Sequence, residues 1–443
     1  MQSAVPYRLG FILTLLHGVF FGWAVTTGNI YLKDSFEYLH QAGNLWKYGS
    51  WYAAEWNGPL LPEMFSFRPP LYAAFIGFIK QFIDSDYAVL LVQNGISIYT
   101  LIQLYLLLEK YVMQAKSAQW MIPVCLVFFP TQLVMANMIM SEILFQFLLM
   151  QTFVCTFQWT LKPGWKSSLY LSGWLCLLIL TKPVGLLLPV VVLLLQLYRM
   201  YKRDWTGAKF LIPLLLVLLV FHLTGLQQKH QTGFYHYTSM KAFNQYKFNA
   251  RFILASKFGE EYAEHWSDSC KKVFTAQPDY ASRYHFMHAA GDAVIREYPV
   301  EFVKLLIRGG IVFFVDPGRH DLAVFFGWSD HRYTGLFYEL NAKGFPALVD
   351  WIRQIPVAQV MWLALIFLFN LVMAGIIIVY FYRSAIPALI KWMLLIWIVY
   401  ICVATGILGV ARYRSAIYPE LLMVFLTAVQ TMINNRKFTK KHV

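Results

Sequence analysis

Apolar and polar positions alternate in long blocks along this chain. Ten runs are dominated by apolar residues, at 8–27, 87–108, 119–139, 142–161, 168–181, 183–199, 208–225, 357–382, 390–409 and 415–433. About 20 such residues cross a hydrocarbon core roughly 30 Å thick as a helix. The pattern predicts an all-α polytopic membrane protein, a bundle of about ten transmembrane helices with interfacial helices and an extracytoplasmic loop region. Two further apolar stretches fit less well as crossings. Residues 70–83 follow Pro69-Pro70 and reach only about 20 Å as a helix. Residues 300–315 carry Glu301, Lys304, Arg308 and the pair Gly309-Gly310. Both read as helices lying in the outer interface, the first opened by proline in its first turn.

The charges orient this pattern. One set of connectors carries Arg8, Lys110, Lys116, Lys162, Lys166, Arg199, Lys202, Arg203, Lys209, Arg383, Lys391, Arg436, Lys437, Lys440 and Lys441, opposed only by Glu109 and Asp204. Basic connectors stay in the cytoplasm, so both termini are expected there. The opposite side then holds residues 28–86, which lean acidic, and residues 226–356, with 15 basic and 13 acidic side chains. The expected organisation is an N-terminal transmembrane module over 1–225 including the first outer loop, an extracytoplasmic region over 226–356, and C-terminal helices with a basic tail over 357–443. The net charge of +14 is thus spent on orientation and on anionic lipid, and no nucleic-acid partner is expected.

Composition agrees. The chain is 58% hydrophobic and 14% charged, against roughly 25% charged in soluble domains, and its 18% aromatic content suits interfacial belts of Trp and Tyr. The run 8–27 ends in no convincing cleavage pattern and reads as a first span. Cys125, Cys155, Cys176 and Cys402 fall in apolar runs and Cys270 stands alone in a polar one, so neither a disulfide framework nor a paired-cysteine metal site is expected. His236, His265, His285, His288 and His320 scatter through 226–356. Only His285 and His288 share helical spacing, without an acidic or cysteine partner at ligand distance in sequence. No metal or other cofactor is expected, though a divalent ion stays open. Phosphate-cradling, dinucleotide and nucleophile-elbow motifs are absent, and no internal repeat of the transporter kind is visible.

Ionisable residues near membrane depth are the functional candidates. The topology places Asp34, Arg68, Glu142, Lys182, Arg412 and Arg414 at one outer boundary. A carboxylate there can take a proton from an attacking hydroxyl, and arginine or lysine can hold a phosphate and stabilise it as it leaves. Each residue also has a plainer reading. Asp34 can cap a helix starting near Ser35, Glu142 can complement the dipole of the fourth span, and Lys182 can snorkel to headgroups. Arg412 and Arg414 can touch anionic lipid, and Glu37 can sit on a solvated helix face or line an acceptor site.

Taken together, these motifs resemble the membrane-embedded GT-C glycosyltransferases, most of all the bacterial branch related to protein O-mannosyltransferases and the lipid A aminoarabinose transferase. The matching positions are Asp34, Tyr38, Ala42, Leu45 and Gly49 after the first span, and Arg68-Pro69-Pro70 opening a juxtamembrane helix. Glu142 after Ser141, Thr181-Lys182-Pro183 and Arg412-Tyr413-Arg414 complete them. Many relatives carry an acidic pair at the first motif, where this chain has Asp34 followed by Ser35. The resemblance implies an inverting transferase with a polyprenyl-phosphate sugar donor and a glycan, lipid or protein acceptor, working at the outer face of a bacterial inner membrane. It implies Asp34 and Glu142 as catalytic acids, Arg68, Lys182, Arg412 and Arg414 as the phosphate clamp, and Glu37 and Tyr38 as substrate lining. An O-antigen polymerase or ligase, and a lipid-linked sugar transporter or flippase, are the competing readings.

Overall fold

The computed structural model describes residues 5–112, 115–162, 164–201, 212–328, 349, 352–384 and 386–439. Lys202, Arg203, Asp204, Lys209, Lys440, Lys441 and most of 329–351 lie outside them, as do the side chains of Lys116, Arg199, Arg436 and Lys437. Among the described residues all regular structure is helical.

The first half comprises α1 (Val5–Thr27), α2 (Lys33–Tyr48), α3 (Pro70–Lys80), α4 (Asp86–Tyr111), α5 (Ala115–Val127), α6 (Thr131–Ala136), α7 (Glu142–Leu161), α8 (Trp165–Ile179), α9 (Leu188–Tyr201) and α10 (Ile212–Thr232). Then follow α11 (Met240–Asn244), α12 (Arg251–Phe258), α13 (Glu260–Thr275), α14 (Tyr280–Glu297), α15 (Pro299–Val315), α16 (Arg319–Phe326), α17 (Val357–Tyr380), α18 (Ala388–Ala404), α19 (Ala411–Ser415) and α20 (Tyr418–Thr439). Among the described residues, four helices are long and apolar enough to cross a membrane: Tyr7–Thr27, Asp86–Tyr111, Glu142–Leu161 and Val357–Tyr380. Phe11, Leu15 and Val19 on α1, and Met361, Leu365 and Leu368 on α17, turn large apolar side chains outward. Water would not tolerate such surfaces, and lipid does. The chain is an all-α membrane protein.

The remaining apolar runs are shorter, interrupted or more polar, for local reasons. The run 119–139 is broken into α5 and α6. Phe129 is pushed out of helical geometry by Pro130, which has no N–H to continue the ladder. Lys182 is extended because Pro183 follows it, and a short 3-10 turn, Pro183–Leu187, leads into α9. The run 70–83 forms the 11-residue α3, with Pro70 at its first position. The run 300–315 forms α15, which buries Leu305, Gly309, Val312 and Phe313 against its neighbours.

Apolar burial gives helices little reason to associate inside lipid, so close packing and interhelical hydrogen bonds must do it. Both are present. Gln93 and Asn94 of α4 donate to the backbone carbonyls of Met138 and Ala136, at 2.8 and 3.2 Å. Gln132 of α6 and Gln146 of α7 exchange hydrogen bonds of 2.9 and 2.8 Å. Trp46 of α2 lies over Gly77 of α3, where a methyl carbon would meet its indole nitrogen at 2.0 Å. Helices α11 to α14 form a separate small layer with a core of Ala250, Ile253, Leu254, Ala263 and Val294, completed by Leu305 of α15.

Candidate active site

Five of the six candidate clamp and acid residues meet at the ends of five chain segments. Leu32 precedes the first turn of α2, and Ser35 Oγ accepts its N–H at 2.9 Å. The cap position is therefore taken by Leu32, and Asp34 sits one step inside the helix with its carboxylate free to face the site. Arg68 is held by Gln41, whose amide donates to the Arg68 carbonyl at 2.9 Å. Leu71, at the start of α3, donates to the Leu180 carbonyl at 2.9 Å and joins the Arg68 segment to the Lys182 segment. Glu142 is the first residue of α7, where the helix dipole favours an anion.

The pairing is dense. Arg68 Nη2 lies 3.0 Å from Asp34 Oδ1, and its Nε lies 2.5 Å from Glu37 Oε2. Arg412 Nη2 lies 3.1 Å from Asp34 Oδ2, and its Nε lies 3.3 Å from Glu142 Oε1. Lys182 Nζ lies 2.9 Å from the same Glu142 oxygen. Glu142 is 1% exposed, and among the described residues its Oε2 makes no hydrogen bond. Tyr38 is buried, shares a 3.0 Å hydrogen bond with Ser141 Oγ, and sets its ring under the Arg68 guanidinium at 5.2 Å.

Three cations (Arg68, Lys182, Arg412) and three acids (Asp34, Glu37, Glu142) thus neutralise one another in a half-buried cluster. Burial pushes the Asp34 carboxyl up, but Arg412, Arg68 and Lys182 outweigh it and hold the group below its ordinary range. Burial also raises Glu37, and Arg68 offsets that only in part. Lys182 is pushed down by burial despite the attraction of Glu142.

Arg414 goes elsewhere. Fully buried, it donates to the carbonyls of Phe313 at 3.1 Å, Asp316 at 2.8 Å and Phe314, and lies over the Phe129 ring. It therefore closes the C-terminal end of α15. Asp316 returns the contact, its Oδ2 accepting the Ala411 N–H at 2.7 Å at the start of α19. The two helices cap each other, and Arg412 is presented between these two holds. Gly318 completes the turn with φ +78, where a β-carbon would meet Thr131 Oγ1 at 2.5 Å. Gln146 adds a third restraint through a hydrogen bond to the Ser415 carbonyl. Sequence reasoning missed Asp316 and Gln146. The only available signal for Asp316 was an acid at the end of an apolar run before Pro317-Gly318.

Among the described residues no three His, Cys, Asp or Glu side chains gather as metal ligands. Contrary to the sequence expectation, His288 does have an acidic partner one helical turn on, Asp292 at 3.1 Å, and His236 bonds Ser66 Oγ at 2.7 Å.

No family model matches the chain, and no curated protein does. Among solved structures it is similar to two crystal structures of ArnT from Cupriavidus metallidurans. The apo state shares 13% identity, covering 95% of this chain and 76% of that one, at a TM-score of 0.39. The form bound to undecaprenyl phosphate shares 16% identity, covering 97% and 78%, at a TM-score of 0.41.

Proposed function

We propose that this protein is an inverting glycosyltransferase that moves a sugar from a polyprenyl-phosphate donor to a hydroxyl acceptor at the outer face of a bacterial inner membrane. The observation that carries the reading is the paired guanidinium fork of Arg68 and Arg412 around the Asp34 carboxylate, with Lys182 beside it. Such a fork suits a phosphate ester. In the transfer, the acceptor oxygen attacks the anomeric carbon as the bond from that carbon to the phosphate oxygen breaks. Asp34 takes the acceptor proton. Polyprenyl phosphate departs with the bonding electrons, its negative charge met by Arg68, Arg412 and Lys182. One displacement inverts the anomeric centre. Glu142 holds Arg412 and Lys182 on the buried side, and Glu37 holds Arg68. Arg414 supports the fork from behind.

The charge balance favours a phosphodiester over a diphosphate donor. The described charges sum to zero, so one phosphate can replace the Asp34 charge, and a second adds a buried negative charge with no counter-ion among the described residues. The reading includes the ten-span topology, the division at 225 and 356, and a glycan, lipid or protein as acceptor. The test is transfer from a radiolabelled polyprenyl-phosphate sugar. Asp34→Asn is expected to insert and fold normally and to transfer none, and wild-type transfer by that variant would remove Asp34 from its role.

A further inference from the structure

We propose that Asp34 is the resting occupant of the phosphate fork, and that a phosphate group seats itself only by displacing this carboxylate. The inference rests on the glycosyl-transfer reading for the base role of Asp34 but not for its occupancy.

The two guanidiniums are held alike. Each presents Nε to one carboxylate and Nη2 to another. Glu37 takes Nε of Arg68 at 2.5 Å, and Glu142 Oε1 lies 3.3 Å from Nε of Arg412. Both Nη2 groups converge on Asp34, one per oxygen, at 3.0 and 3.1 Å. Two oxygens on one centre, each on a different arginine, is the arrangement that two non-bridging oxygens of a phosphate would adopt. Among the described residues Glu37 pairs with Arg68 alone, so its release opens one arm. Glu142 is 1% exposed and is held by Lys182 as well as Arg412. Asp34 bridges both arginines and keeps 23% of its side chain exposed, so it alone can leave and open both arms. When it leaves, Glu37 and Glu142 still hold the arginines in place.

The exchange also arms the base. While bridged, Asp34 is held below its ordinary range by the charges it neutralises, and it is a poor proton acceptor. Once phosphate takes those charges, the carboxyl regains basicity. Binding is therefore ordered, donor before acceptor, and the base is released by the group that will leave.

The test uses the full chain in phosphatidylcholine nanodiscs, titrated with inorganic phosphate and separately with undecaprenyl phosphate. Asp34→Asn and Asp34→Ala are each expected to bind both probes about tenfold tighter than wild type, a change of about 1.4 kcal/mol, while Glu37→Gln, which frees only one arm, tightens binding by clearly less. Equal tightening by Glu37→Gln would reduce the effect to a general field and overturn the proposal. A gain confined to the lipid probe would place it on the tail and overturn it too. If wild type binds and neither Asp34 variant binds tighter, the occupancy is wrong and the transferase reading stands. If no protein binds either probe, both fall. In wild type alone, saturating phosphate should shift the bridged-carboxylate stretch in an infrared difference spectrum, and unchanged carboxylate bands would equally overturn the displacement.

Discussion

At the scale of a single residue, Asp34 lies between two guanidiniums, and its environment yields a pH prediction. A carboxyl whose native value is lowered contributes stability that is complete above its unfolded value and is lost as pH falls through the native one. Its ordinary value is 3.8, and the native value lies lower. The difference in unfolding temperature between wild type and Asp34→Asn should therefore hold its full size down to about 3.8 and shrink only below it, as read by thermal unfolding in detergent across an acid series. A difference that fades well above 3.8 would mean that the arginines are not neutralised by this carboxylate. The sequence exposed Asp34, Arg68, Glu142, Lys182 and Arg412 because each is an ionisable group at the end of an apolar run, where burial is costly without a purpose. It did not expose which acid meets which cation. It also grouped Arg414 with Arg412, since two arginines two positions apart look equivalent until the turn of α19 sends them in opposite directions.

Helices position these residues, and the mutual capping of α15 and α19 is the element most exposed to a test. Asp316→Ala removes the acceptor for the Ala411 N–H, at a cost of about 1 kcal/mol by analogy with helix caps. Because α19 carries Arg412, the expected signature is a higher donor KM at unchanged acceptor KM. Asp316→Asn, which keeps an acceptor oxygen, should restore most of it. A purely structural role would lower the amount of folded protein and leave the KM ratio untouched. The Asp316 cap on Ala411 was not legible beforehand, because a cap supplied from 95 residues away leaves no local pattern. The broken run at 119–139 shows the same limit from the other side. Hydropathy continues through Phe129 and Pro130, and backbone chemistry stops the helix there.

Sidedness belongs to the molecule as a whole. The site draws on α2, the Arg68 loop, α7, the Lys182 turn and α19, and all five must open to one compartment for it to work. Single cysteines in a background lacking the five native ones test this, at the exposed positions Lys33, Glu55, Lys110 and Lys166. An impermeant thiol reagent added to intact cells should label positions 33 and 55 and spare 110 and 166. Labelling of all four, or of the second pair alone, would overturn the assigned orientation. The overall class was plain from block hydropathy and connector charge, since both act over whole segments and survive errors of several residues in any boundary. The small layer built by α11 to α14 was not, because its core is assembled from scattered apolar positions too few to form a block.

The carboxylate bridging Arg68 and Arg412 has one more consequence. Fluids outside a cell are rich in small anions, and two bare arginines facing them would sit permanently clogged with chloride, sulfate or phosphate. A site that carries its own anion on a short tether holds such passers-by only when they are abundant. A guest with a second grip on the protein, such as a hydrocarbon chain already dissolved in the surrounding bilayer, takes the seat at far lower concentration.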